Sequence, residues 1–109
     1  MKKLFISQPM KDKTDEEILA VRAKAIESAE RELGEPVEVI DSFFQNAPHD
    51  ARPLWYLAKS LELLSTADVA YFAKDWDKYR GCQIENLCAI AYDIVVIEDC
   101  REEEEDDEV

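Results

Sequence analysis

The sequence predicts a three-layer α/β fold of the flavodoxin-like or Rossmann-like kind, with a four-stranded, mainly parallel sheet in the order 2-1-3-4. Three observations carry this expectation. Short apolar or alternating runs at residues 3–7, 37–41, 68–73 and 94–97 read as strands, and stretches of helical periodicity separate them. Each gap is long enough for a helical crossover, which joins parallel strands with right-handed geometry. Strict alternation of strand and helix covers both faces of the sheet with helices, and the simplest strand order puts the switch point between strands one and three.

The first run, residues 3–7, leads into Ser7, Gln8, Pro9 and Met10, where Pro9 cannot donate to the ladder and stops the strand. Thr14 followed by Glu17 forms a capping box, and Asp15 and Glu16 suit the positive end of a helix dipole. Ile18, Val21, Ala25, Ile26, Ala29 and Leu33 then recur at helical spacing until Gly34 supplies a stop. Arg22 interrupts this stripe, and it either snorkels past the core edge or reaches a ligand.

After the second strand, SFFQNAPHDAR has the polar and aromatic character of a functional loop over a strand's carboxyl end. Asp41, Phe43 and Phe44 are its candidate ligand contacts, with the two phenylalanines either stacking on a base or packing as core. Pro53 opens a second helix, in which Leu54, Leu57, Ala58, Leu61 and Leu64 form one apolar stripe up to about Ser65. Trp55, Tyr56 and Trp76 are either interface anchors or internal packing. In the third helix Ile84, Leu87, Cys88 and Ala91 form the expected buried face, and Cys82 and Cys88 read as packing residues.

Composition narrows the function. The 109 residues fit a single domain over residues 1–100, followed by an acidic tail over 101–109 that is expected to be disordered. Residues 102–108 are seven consecutive carboxylates, so the net charge of -13 leaves about -6 for the remainder. Such a chain is a poor partner for a nucleic-acid polymer, whose binding depends on phosphate neutralisation by Lys and Arg. Three cysteines without a CxxC pair and a lone His49 indicate neither a disulfide framework nor a metal site, and no cofactor is expected. The start MKKLFISQPM lacks a long apolar core and no run reaches a membrane span, so a cytoplasmic protein with no membrane partner is expected.

The candidate site lies in residues 68–99, read as strand, charged loop, helix and strand. The loop over 74–81 leaves the carboxyl end of a strand, where open α/β sheets bind ligands. Lys74, Lys78 and Arg80, with Lys11 nearby, form a cationic patch that would favour phosphate. Gly81 suits a tight turn into the helix, and Glu85 follows about one turn later, displayed by a rigid element. The strand order brings Ser7, Gln8, Pro9 and Met10 beside this segment, with Asp41 to Phe44 on the adjoining rim.

Four segments carry a resemblance: LFISQPM, EVIDSFF, LWYLAKSLELLSTADVAYFA and RGCQIENLCAIAYDIVVIED, together spanning most of residues 3 to 99. With these the chain resembles the nucleoside 2-deoxyribosyltransferase-like superfamily, and most closely its short phage and bacterial DUF4406-type branch. The resemblance implies that Glu85 stands where the enzymes carry a glutamate that attacks the sugar's anomeric carbon. It also implies a homo-oligomer whose pockets are completed by a neighbouring subunit. Ser60 stands eight residues before Asp68, where relatives carry an aspartate, which leaves Asp75 or Asp77 of the loop as candidate proton donors. Gln83 and Leu87 stand where enzyme relatives often have glycine. The expected partner is therefore a nucleoside or nucleotide, bound and possibly cleaved at its N-glycosidic bond. A non-catalytic nucleotide sensor or sequestering protein, and an interaction module using the acidic tail, are the alternatives.

Overall fold

The computed structural model describes residues 1–10, 13–42 and 48–99. Expectations for Lys11, for Phe43 and Phe44, and for the tail over 101–109 fall outside these residues. The elements follow in the order β1 (Lys2–Ser7), α1 (Asp15–Leu33), β2 (Val37–Val39), α2 (Pro53–Leu64), β3 (Val69–Phe72), a 3-10 turn (Trp76–Lys78), α3 (Arg80–Ala91) and β4 (Val95–Glu98). The four strands form one parallel sheet in the order β2-β1-β3-β4, as the sequence predicts. Among the described residues, no helix is long and apolar enough to cross a membrane.

The two central strands are buried on both faces, which is why they read as nearly continuous apolar runs. Leu4, Ile6, Val69, Tyr71 and Ala73 meet Ala25 and Ala29 of α1 on one face. Phe5, Ala70 and Phe72 meet Leu64 of α2 and Ala89 of α3 on the other. Strand alternation alone assigns these sides, because successive Cβ atoms point to opposite faces. Ala at positions 25, 29 and 89 lets the helices approach the sheet closely.

Local signals at α1 act as expected. Glu17 N–H donates to Thr14 Oγ1 at 3.1 Å, Thr14 N–H donates to Glu17 Oε1 at 2.9 Å, and Gly34 ends the helix with φ at 72°. A left-handed residue of this kind costs glycine least. Arg22 Nη2 donates to the Ile40 carbonyl at 3.4 Å, and its Nη1 is buried with no hydrogen-bond partner among the described residues.

Several local expectations are corrected. β2 is shorter than the 37–41 run, although Ile40 N–H still donates to the Leu4 carbonyl at 2.9 Å. The tight turn into α3 is not made by Gly81, which lies inside the first helical turn; the left-handed residue is Asp75, with φ at 69°. α3 is also rotated from its predicted phase. Cys82, Glu85, Asn86 and Ala89 are its buried residues, whereas Leu87 is 66% exposed. In α2 only the C-terminal Leu64 is buried, while Leu54 and Ala58 are exposed and Leu57 and Leu61 half-buried. Its N-terminal half stands over a cavity instead of over the sheet.

Candidate functional site

The site is built where the face shared by α2 and α3 meets the carboxyl edge of the sheet. Ser7 follows Phe5 by two residues in β1 and so points to this same face. From α3, Cys82, Glu85, Asn86 and Ala89 occur at the i, i+3, i+4, i+7 spacing that makes one helical stripe turned to the sheet. The two elements meet at Ser7 and Glu85. Ser7 Oγ donates to Glu85 Oε1 at 2.6 Å, joining residues 78 apart in sequence. That length is typical of a hydroxyl bonded to a charged oxygen.

Glu85 is 8% exposed. Burial pushes its carboxyl above the usual range, and hydroxyl hydrogen bonds from Ser7 and then Ser60 partly oppose that push. Cys82, one turn earlier on the same stripe, has its thiol pushed up to about 11, chiefly by burial. A hydrogen bond with Ser7 opposes this, and the negative charge of Glu85 adds to it. Cys82 is thus a buried, poorly nucleophilic neighbour of the carboxylate. Asn86, beside Glu85, donates from Nδ2 to Glu98 Oε2 at 3.4 Å and ties α3 to β4.

Glu85 opens into a cavity of about 630 Å³, a size suited to a small organic ligand. The strand ends from Phe5 to Ser7, with Gln8, Pro9 and Met10, line one side. Pro53, Tyr56, Leu57 and Ser60 from α2 line the second. Tyr79, Gly81 and Cys82 stand beside Glu85 on the third. Ser42 completes the lining with a buried Oγ that has no hydrogen-bond partner. Among the described lining residues, Glu85 is the sole carboxylate and there is no Lys, Arg or His.

The fold therefore gathers Ser7, Gln8, Pro9, Met10, Gly81 and Glu85 at one cavity, and among the described candidates Asp41, Lys74, Asp75, Asp77 and Arg80 are outside its lining. Lys74 and Asp75 line a second cavity of about 480 Å³, beside α1. Asp75 pairs there with Lys78 at 3.3 Å. Asp77 is exposed, and its backbone carbonyl accepts from Gln83 Nε2 at 2.5 Å. Arg80 is exposed at the first residue of α3, and Asp41 is exposed and outside the Glu85 lining. Of the expected cationic patch, Lys74 lines the second cavity, which shares Gln8, Pro9 and Tyr79 with the first, and neither Lys78 nor Arg80 is in the Glu85 lining.

Five polar lining residues escaped the sequence reading as site members: Ser42, Tyr56, Ser60, Tyr79 and Cys82. A signal for Ser60 was present. Pro53, Tyr56, Leu57, Ser60 and Leu64 share one face of α2 at helical spacing, so a serine on that face is directed inward.

The sequence matches no protein-family model and no curated protein. Solved structures do match the fold. A conserved protein from Enterococcus faecalis V583 aligns with a TM-score of 0.62 at 15% identity, over 90% of this chain and 62% of that one. A 2-deoxyribosyltransferase from the psychrotolerant bacterium Bacillus psychrosaccharolyticus, described as a biocatalyst for nucleoside synthesis, aligns with a TM-score of 0.56 at 18% identity, over 88% of this chain and 70% of that one. This chain thus spans about three-fifths of the length of the first. It has the parallel α/β fold of a nucleoside 2-deoxyribosyltransferase.

Proposed function

We propose that this protein binds a nucleoside in the Glu85 cavity and cleaves or transfers it at the N-glycosidic bond, as a short, DUF4406-type member of the nucleoside 2-deoxyribosyltransferase-like superfamily. The observation that carries this reading is a buried carboxylate, clamped by a serine hydroxyl, at the carboxyl end of the sheet in a nucleoside-sized cavity. In the proposed reaction a Glu85 carboxylate oxygen forms a bond to C1′ of the sugar while the C1′–N bond breaks and its electron pair leaves with the base. A carboxylate suits this step because it both attacks the anomeric carbon and stabilises the positive charge that develops there. Water then resolves the ester to give hydrolysis, or a second base resolves it to give transfer.

Ser7 and Ser60 would hold the carboxylate in place while the apolar walls exclude bulk water. We further propose that copies of the chain associate, supported by the exposed apolar residues Leu87 and Ile90 of α3 and Val95 of β4. The decisive experiment is a panel of ribonucleosides and 2′-deoxynucleosides assayed for released base, with Glu85→Gln in parallel. Release by the wild type, its loss by at least about 1,000-fold in the variant, and retained ligand binding are expected. Tight binding without turnover in the wild type would instead indicate a sequestering or sensing protein. No binding across the panel would overturn the nucleoside reading.

A further inference from the structure

We propose that the second cavity, on the α1 face of the sheet, is a separate binding site for a small phosphate monoester. Its position comes from the topology. β1 leads into α1 on one face and β3 leads into α3 on the other, so the connections part at the carboxyl edge between these neighbouring strands. Open α/β sheets bind ligands in the crevice that such a parting leaves. The Glu85 cavity lies on one side of it. The second, of about 480 Å³, lies on the other and shares Gln8, Pro9 and Tyr79 with the first.

The described lining combines apolar side chains, among them Ile18, Val21 and Ala73, with lysines from three separate segments. Lys13 precedes the N-cap of α1, Lys24 stands within that helix, and Lys74 follows β3. Three carboxylates line it too, and each already accepts from a donor. Glu17 Oε1 accepts from Thr14 N–H at 2.9 Å, Asp75 pairs with Lys78 at 3.3 Å, and Asp99 pairs with Lys24 at 3.1 Å. The Asp99 side chain is 8% exposed, so a buried carboxylate fixes the Lys24 ammonium at the wall. An ammonium has three donors, and Lys24 keeps the others for a ligand. With Lys78 included, four lysines meet three carboxylates, a local positive excess in a chain of net charge -13.

That balance selects the anion. The acidic chain repels anions at long range, so affinity has to come from short, charge-assisted hydrogen bonds inside the cavity. A phosphate monoester carries about -1.5 to -2 charges at pH 7 and three strong acceptor oxygens, which suit ammonium donors arriving from three segments. A carboxylate brings one charge and two oxygens. The apolar side chains and the Tyr79 ring then pack the organic group, which inorganic phosphate lacks.

Calorimetry of the full chain with phenyl phosphate, inorganic phosphate and phenol tests the site with probes that are not nucleosides. Phenyl phosphate should bind about tenfold more tightly than phenol and at least about threefold more tightly than inorganic phosphate, and should weaken as salt is added. Lys13→Gln and Lys74→Gln, both at exposed positions, should each weaken it by about three- to tenfold. Lys59→Gln removes the same charge from α2 and should change nothing, as should Glu85→Gln. In NMR spectra phenyl phosphate should shift the signals of Ile18, Val21 and Ala73. No binding at about 10 mM ligand, equal weakening in Lys59→Gln, or weakening in Glu85→Gln would overturn the site. Equal affinity for inorganic phosphate would overturn the ester assignment. Base release at the Glu85 cavity stands or falls separately.

Discussion

At the scale of single residues, the contact that organises the site is Ser7 Oγ to Glu85 Oε1 at 2.6 Å. A buried carboxylate with no cation beside it among the described residues depends on hydroxyl donors for its ionised form, so the two serines set how readily Glu85 acts as a nucleophile. Ser7→Ala removes one donor and should push the carboxyl further upward. Under the proposed reaction the acid limb of the pH profile of kcat/KM then moves to higher pH, and kcat/KM at pH 6 falls by about tenfold. Ser7→Thr, which keeps the hydroxyl, should restore the profile. An unchanged limb in Ser7→Ala would remove Ser7 from any role in tuning Glu85.

At the scale of elements, α3 is the helix whose sequence and structure part company. Apolar periodicity selects Ile84, Leu87, Cys88 and Ala91 as the buried face, yet the helix turns Cys82, Glu85, Asn86 and Ala89 to the sheet. The reason is local packing: Ala89 is fully buried against Phe5 and Phe72, and a leucine stripe in that position would hold the helix too far out. Turning the small and polar stripe inward delivers Glu85 to Ser7 and leaves Leu87 and Ile90 outside. Ala89→Leu should therefore destabilise the fold by about 1–3 kcal/mol in urea unfolding. Leu87→Lys should leave monomer stability within about 0.5 kcal/mol and shift light scattering toward the monomer if copies associate through this face. A stable Ala89→Leu protein would contradict the observed phase.

At the scale of the whole molecule, burying Glu85 links the site to stability. Its carboxyl is held above the ordinary value of 4.5 by burial. Above that value the unfolded chain releases the proton first, so the folded state binds more protons and Glu85's contribution to stability falls as pH rises through the folded-state value. The contribution is fully present below pH 4.5. Thermal unfolding of wild type and Glu85→Gln over a pH series should show the variant gaining relative stability from acid toward neutral pH. A constant difference between the two would mean that Glu85 ionises as freely in the fold as in the unfolded chain.

What the sequence by itself determined was the order of elements, the parallel sheet with its 2-1-3-4 order, the capping of α1, and Glu85 on the helix after β3. These follow from short-range rules: period-2 and period-3.6 patterning, caps, and the handedness of crossovers. Only the tertiary structure decided which neighbours Glu85 has. The phase of α3 and the half-exposed stance of α2 brought Ser7, Ser60 and Cys82 to the carboxylate, while Lys74 and Asp75 line the other cavity. Those outcomes depend on close packing between residues as far apart as Ser7 and Glu85, where small side chains allow an approach that periodicity does not encode.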